Sequence, residues 1–147
     1  MTVVKSPMSL VAVFLWAGFV CAISFMEAWL KFRAPGITLP LGLGIGRLVF
    51  NALNKAEWVF AIVIIASLFS NRTNLLKQEK LLFLIPLLIL IVQSVWLLPM
   101  LDLRAELHIK GASVPPSNLH FYYIGLELAK VVCLMLFGIT RFEKTVI

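Results

Sequence analysis

The sequence predicts an all-α fold, an integral membrane antiparallel four-helix transmembrane bundle, and three observations predict it. The chain of 147 residues is 61% hydrophobic with a mean hydropathy of +1.00, whereas soluble domains are about 45–50% apolar. Residues 6–26 and 81–101 carry no charged side chain, and each is long enough to cross a bilayer, which takes about 20 residues. Residues 58–71 are equally bare but need the polar stretch before them to complete a span, and 118–140 is interrupted only by His120, Glu127 and Lys130. The connections between these stretches are short, so residues 1–147 are expected to form a single transmembrane domain.

The elements follow in order. Helix 1 is expected over about 7–31, because "EAWLKF" contains no breaker before Pro35. Lys5 ahead of an apolar run suits a cleaved leader, but the run is long for one and no A-x-A pattern closes it, so a retained span is expected. The next stretch, "RAPGITLPLGLGIG", holds two prolines and the glycines Gly42, Gly44 and Gly46. It follows no strand, so it reads as a flexible or re-entrant turn rather than a phosphate loop. Helix 2 is expected over about 47–70. The polar "NRTNLLKQEK" then connects to helix 3, about 80–100, with Pro86 in its first turns and Pro99 at its end. Helix 4, about 118–140, has Ser117 or Asn118 as a capping residue. Cys21 and Cys133 both fall inside spans and read as small buried apolar residues.

Net charge is +6. In a membrane protein this bears on topology more than on partners. With both ends on one side, each side carries six of the Lys and Arg residues outside helix 4. Arg47 and Lys55 fall on a helix partly at membrane depth and count for less, so the rule that cytoplasmic loops are cationic favours both termini in the cytoplasm, most simply of a plasma or inner membrane.

The polar residues of the spans are patterned. Arg47, Asn51, Asn54 and Trp58 recur at i, i+4, i+7 and i+11, which is one helical face, while Glu57 points away from it. His120, Tyr123, Glu127 and Lys130 share a face of helix 4. Glu27 and Lys31 are i, i+4 on helix 1, and Gln93 and Trp96 share a face of helix 3. In an antiparallel bundle the four strips meet toward one end, leaving the other half almost purely apolar. An ionisable group at bilayer depth costs at least about 2.5–3.5 kcal/mol, so such groups face the interior or a wet cavity and pair. Glu27, Glu57, Asp102 and Glu127 are available to pair with Lys31, Arg47, Lys55, Arg104 and Lys130, and Glu127 and Lys130 can pair within one helix.

The functional reading is a pocket lined by Glu27, Arg47, Asn51, Gln93, His120, Tyr123, Glu127 and Lys130. Two alternatives stay open: a hydrogen-bond network that only holds the helices together, and snorkelling of Lys31, Arg33 and Lys55 to the head groups. With two histidines and no zinc-like Cys/His spacing, no metal site and no cofactor is expected. Met26 and Met100 read as packing residues, and no catalytic triad is visible.

The stretches "FLWAGFVCAISFMEAWLKFRAP", "GIGRLVFNAL", "WLLPMLDLR" and "LHFYYIGLELAK" resemble the small four-span proteins of the CopD-like (copper-resistance-D-like) group, closest to its uncharacterised branch. The shared features are Trp16 and Gly18 in helix 1, Phe50 entering helix 2, Trp96 and Pro99 closing helix 3, and His120 opening helix 4. The group includes a membrane protoporphyrinogen oxidase with a haem-ligating histidine early in helix 1. No histidine stands there in this chain, so the resemblance implies neither haem nor that activity. Arg47 and Asn51 loosely echo the R-x-x-x-N motif of the membrane glutathione-transferase group.

Three function classes follow. The first is a small multi-pass membrane protein, not an enzyme, that binds or moves a small polar or ionic solute through an outward-facing pocket, as in transport. The second is an accessory subunit of a larger membrane complex, with an apolar face of small residues. The third is a membrane enzyme acting on a lipid or amphiphile, which needs a groove open to lipid beside Glu127 or His120. The expected partners are the bilayer and a homo-oligomer or larger membrane complex, and no nucleic acid.

Overall fold

The computed structural model describes residues 2–4, 6–70 and 75–144. Lys5, Arg72 and the N-R-T sequence at Asn71 lie outside the described residues. Four helices carry the fold: α1 (Pro7–Arg33), α2 (Leu39–Ser70), α3 (Lys77–Ile109) and α4 (Leu119–Ile139), each long and apolar enough to cross a membrane. The chain is thus an integral, multi-pass membrane protein. Two short strands, β1 (Thr2–Val4) and β2 (Phe142–Lys144), pair antiparallel and bring the two chain ends together at one end of the bundle.

The packing is that of a protein in lipid. A helix satisfies its own backbone polar groups, which is why helices can span a hydrocarbon layer. Val13, Trp16, Val20, Leu53, Ala61, Ile64, Leu90, Leu134 and Phe137 are fully buried. Leu48, Val59, Ile62, Phe69, Val95 and Leu128 lie bare on the outside, where acyl chains cover them. Cys21, expected inside, is also on this outer surface, and Cys133 is half-buried. α1 packs on α2 and α4, and α4 packs on the first half of α3. The second half of α3 closes the ring by returning to α2.

Three departures from the expected elements matter for the site. α2 begins at Leu39, not near 47, so Gly42, Gly44 and Gly46 are helical rather than part of a turn. Pro40 sits in the helix's first turn, where no backbone donor is needed. Gly42 is there for steric reasons: a Cβ at that position would stand 2.1 Å from the Phe32 ring. α3 continues through Pro99 to Ile109. The turn just before Pro99, Gln93–Leu97, is π-helical. That wider turn absorbs the proline's missing N–H and the crowding of its ring on the preceding carbonyls. A second π-helical segment, Cys21–Glu27, lies in α1. A π-turn advances fewer degrees per residue than an α-turn, so it shifts the phase of everything after it. Gln93 and Trp96, expected on one face, separate accordingly: Gln93 is buried and Trp96 is exposed.

At a rise of 1.5 Å per residue, α2 and α3 are each close to 50 Å long, well beyond a hydrocarbon core of roughly 30 Å. Their extra turns, Leu39–Arg47 and Asp102–Ile109, project beyond the core at the end opposite the strands.

Candidate functional site

The residues expected to line one pocket divide between two places. The first is a cavity of about 320 Å³ at the projecting end of the bundle. Its walls come from the end of α1 (Ala28, Lys31, Phe32), the start of α2 (Leu43, Arg47, Phe50, Asn51), the end of α3 (Leu98, Asp102, Arg104, His108) and the start of α4 (His120, Tyr123). The overrun of α2 and α3 builds it, because their added turns raise walls above the level where α4 begins.

One bidentate pair braces it. Arg47 Nε and Nη2 donate to Asp102 Oδ1 and Oδ2 at 2.6 and 2.8 Å. Glu106 stands 3.6 Å from Arg47 and binds Lys110 at 2.5 Å. The fork of a guanidinium fits a carboxylate in this way, and a lysine would not reproduce it. Lys31 reaches Glu27 at 3.2 Å and lies against the Phe32 and Phe50 rings at 5.4 and 5.6 Å. Gly46 leaves room for it: a Cβ there would come 3.3 Å from Lys31 Nζ. Arg104 donates to the Pro115 carbonyl, tying the α3–α4 connection to the rim. Phe50 and Tyr123 meet edge to face at 5.4 Å and floor the cavity.

The second place is deeper, halfway along α4, where Lys130 is fully buried. Its ammonium donates to three acceptors from three helices or turns: Glu57 Oε1, Gln93 Oε1 at 2.5 Å and Glu127 Oε1 at 2.7 Å. An ammonium has three N–H donors, so Lys130 is saturated. Gln93 Nε2 and Ser24 Oγ donate to Glu127 Oε1 and Oε2 at 2.7 and 2.8 Å. Trp16 Nε1 donates to Glu57 Oε1 at 2.8 Å. Glu57, Gln93, Glu127 and Lys130 are all inaccessible to solvent. The two π-turns matter here, because Ser24 comes from one and Gln93 from the other.

Of the residues singled out in the sequence, Arg47, Asn51, His120 and Tyr123 line the cavity. Asn51 is exposed, and its amide donates to the Arg47 carbonyl at 2.9 Å. Glu27 stands behind the lining, holding Lys31. Gln93, Glu127 and Lys130 belong to the deep cluster, below the floor. Asn54 and Trp58 join neither place; both bond Ser94 between α2 and α3. Glu57, which the pattern pointed away, faces the bundle axis, because α2 turns Leu53, Glu57, Ala61 and Ile64 inward. Asp102, expected among the acids available to pair, takes Arg47, whereas Trp16, Ser24 and His108 were missed as site residues. The available signal for Glu57 was its depth: it is the last charge before a long apolar run, as Lys130 is on α4.

The strand end is not purely apolar either. Arg141 is fully buried, pairs with Glu79 and stacks on Phe137 at 4.8 Å. Among the described residues, no group of three or more His, Cys, Asp and Glu side chains is placed to hold a metal ion. No family model, curated protein or solved structure matches the chain.

Proposed function

We propose that this protein binds a small ionic solute in the end cavity, and that the solute is an organic anion with an apolar body. The observation that carries this reading is the composition of the cavity wall. Lys31, Arg47 and Arg104 line it beside the imidazoles of His108 and His120, and the carboxylates that offset them are Asp102 in the wall, held by Arg47, and Glu27 behind it, held by Lys31. The remaining wall is largely apolar, with Phe32, Leu43, Phe50 and Leu98. Ligand sites are commonly apolar hollows with a few convergent polar groups, and a cationic cleft concentrates anions. Lys31 is nearly buried in the wall, so it meets a ligand largely stripped of water.

The cavity lies at the end opposite the chain termini. With both termini in the cytoplasm of a plasma or inner membrane, as the charge balance favours, it faces outward. A solute taken up there is either held or passed on.

The test uses the purified chain in lipid nanodiscs and radiolabelled decanoate, with decylammonium as a cationic control of equal length. Saturable binding of decanoate and not of decylammonium is expected. Ala28→Phe should abolish it by filling the cavity, with unfolding midpoint unchanged. Lys31→Met should weaken it roughly tenfold, equivalent to about 1.4 kcal/mol. Binding that is not saturable, or that survives Ala28→Phe, would remove the reading.

A further inference from the structure

We infer that the deep cluster is a proton-binding site, in which Glu57 holds one proton on Oε2 while Glu127 stays ionised opposite Lys130. The inference is independent of what the cavity binds.

Charge comes first. With every group ionised, two carboxylates and one ammonium leave the cluster with a net charge of minus one, in a place with no access to water at mid-depth in a bilayer. An uncompensated charge there is strongly unfavourable. One proton makes the cluster neutral.

Hydrogen bonding says which oxygen takes it. Of the four carboxylate oxygens, three receive donors. Glu127 Oε1 accepts from Lys130 and Gln93, Glu127 Oε2 accepts from Ser24, and Glu57 Oε1 accepts from Trp16 and Lys130. Glu57 Oε2 is buried and has no hydrogen-bond partner. An ionised carboxylate is acceptor-only and is favoured by donors, while a protonated one carries a hydrogen on one oxygen. Glu127, with three donors, is the carboxylate. Glu57, with a bare oxygen, is the acid.

The surroundings agree from every side. α4 presents Lys130 and Glu127 to Glu57, with Tyr123 a turn away. α1 brings Trp16 and Ser24, and α3 brings Gln93, none of which ionises. Both π-turns supply a donor to Glu127, and neither supplies one to Glu57 Oε2. Intramembrane acids that exchange a proton are the working parts of proton relays, so this site would allow the protein to respond to protons.

The experiment takes the full chain in lipid nanodiscs and combines infrared spectroscopy with unfolding. A protonated-carboxyl stretch is expected at neutral pH, sensitive to deuterium and lost in Glu57→Gln. Glutamine mimics the neutral acid, so Glu57→Gln should leave the unfolding midpoint unchanged. Glu127→Gln should lower it or prevent folding, since Lys130, Ser24 and Gln93 then point donors at an amide. The proposal is overturned by a wild-type spectrum without the acid band, by a band that persists at full height in Glu57→Gln, or by the reverse stability pattern, with Glu57→Gln destabilising and Glu127→Gln silent.

Discussion

The end cavity and the deep cluster use the same residue types to opposite ends. Each sets a cation between two acidic side chains. At the rim, Arg47 and Asp102 are about one-third exposed, and their pair is one strut in a hollow that admits other molecules. Below the floor, Lys130, Glu57 and Glu127 have no exposure at all. Water screens the first pair and not the second. The difference teaches that an ion pair's worth in this bundle is set by depth, not by distance, since the two places have bonds of similar length.

The largest effect should come from Lys130→Met. It leaves the Glu127 carboxylate buried beside the Glu57 acid without its cation, and removing one partner of a buried pair costs about 3–5 kcal/mol. Unfolding in mild detergent should show that loss. Adding Glu57→Gln and Glu127→Gln should recover much of it, because a neutral, well-packed core replaces a buried ion pair at little cost. If Lys130→Met alone left stability unchanged, the cluster would be wet and the contrast with the rim would vanish.

This contrast was only partly legible in the sequence. The four spans were, because hydropathy and length are additive along a chain and need no knowledge of neighbours. The polar end was legible too, since Arg47 and Asn51 on α2, and His120 and Tyr123 on α4, stand at helical spacing. What the pattern missed depends on phase. Two π-turns rotate Ser24 and Gln93 inward, and nothing in "CAISFME" or "QSVWL" announces a wider turn except Pro99 downstream. Glu57 was misplaced for a related reason. Polar periodicity alone does not say which face of α2 meets its neighbours, and the packing of Leu53, Ala61 and Ile64 chose the face that carries Glu57. The glycines of α2 misled in the same way. They look like a turn, but Gly42 and Gly46 serve close contact with Phe32 and Lys31, while Gly44 faces open space.

A middle-sized effect is expected at Trp16, where the buried indole donates to Glu57 Oε1. Trp16→Phe keeps most of the ring but removes the donor, at about 1–3 kcal/mol for leaving a buried acceptor less satisfied. Because Lys130 still reaches that oxygen, the cost should lie toward the low end, and thermal unfolding would measure it. A cost as large as that of Lys130→Met would mean that packing, not charge, dominates the deep cluster.

The smallest effect on stability, and the sharpest comparison, is at the rim. A double-mutant cycle of Arg47→Gln and Asp102→Asn isolates their coupling from the separate costs of each change. The pair is partly exposed, so its coupling should be small and should fade as salt is raised, since charges in contact with water are screened over about 8–10 Å at ordinary ionic strength. The matching cycle of Lys130→Met and Glu127→Gln should give a larger coupling that salt leaves alone. Arg47→Gln should nevertheless weaken decanoate binding more than it weakens the fold, because Arg47 supplies charge to the cavity wall while contributing little to the bundle. Equal salt sensitivity in the two cycles would place both pairs in contact with water. The cavity would then reach past Phe50 and Tyr123 to Glu127, and the two places would be one.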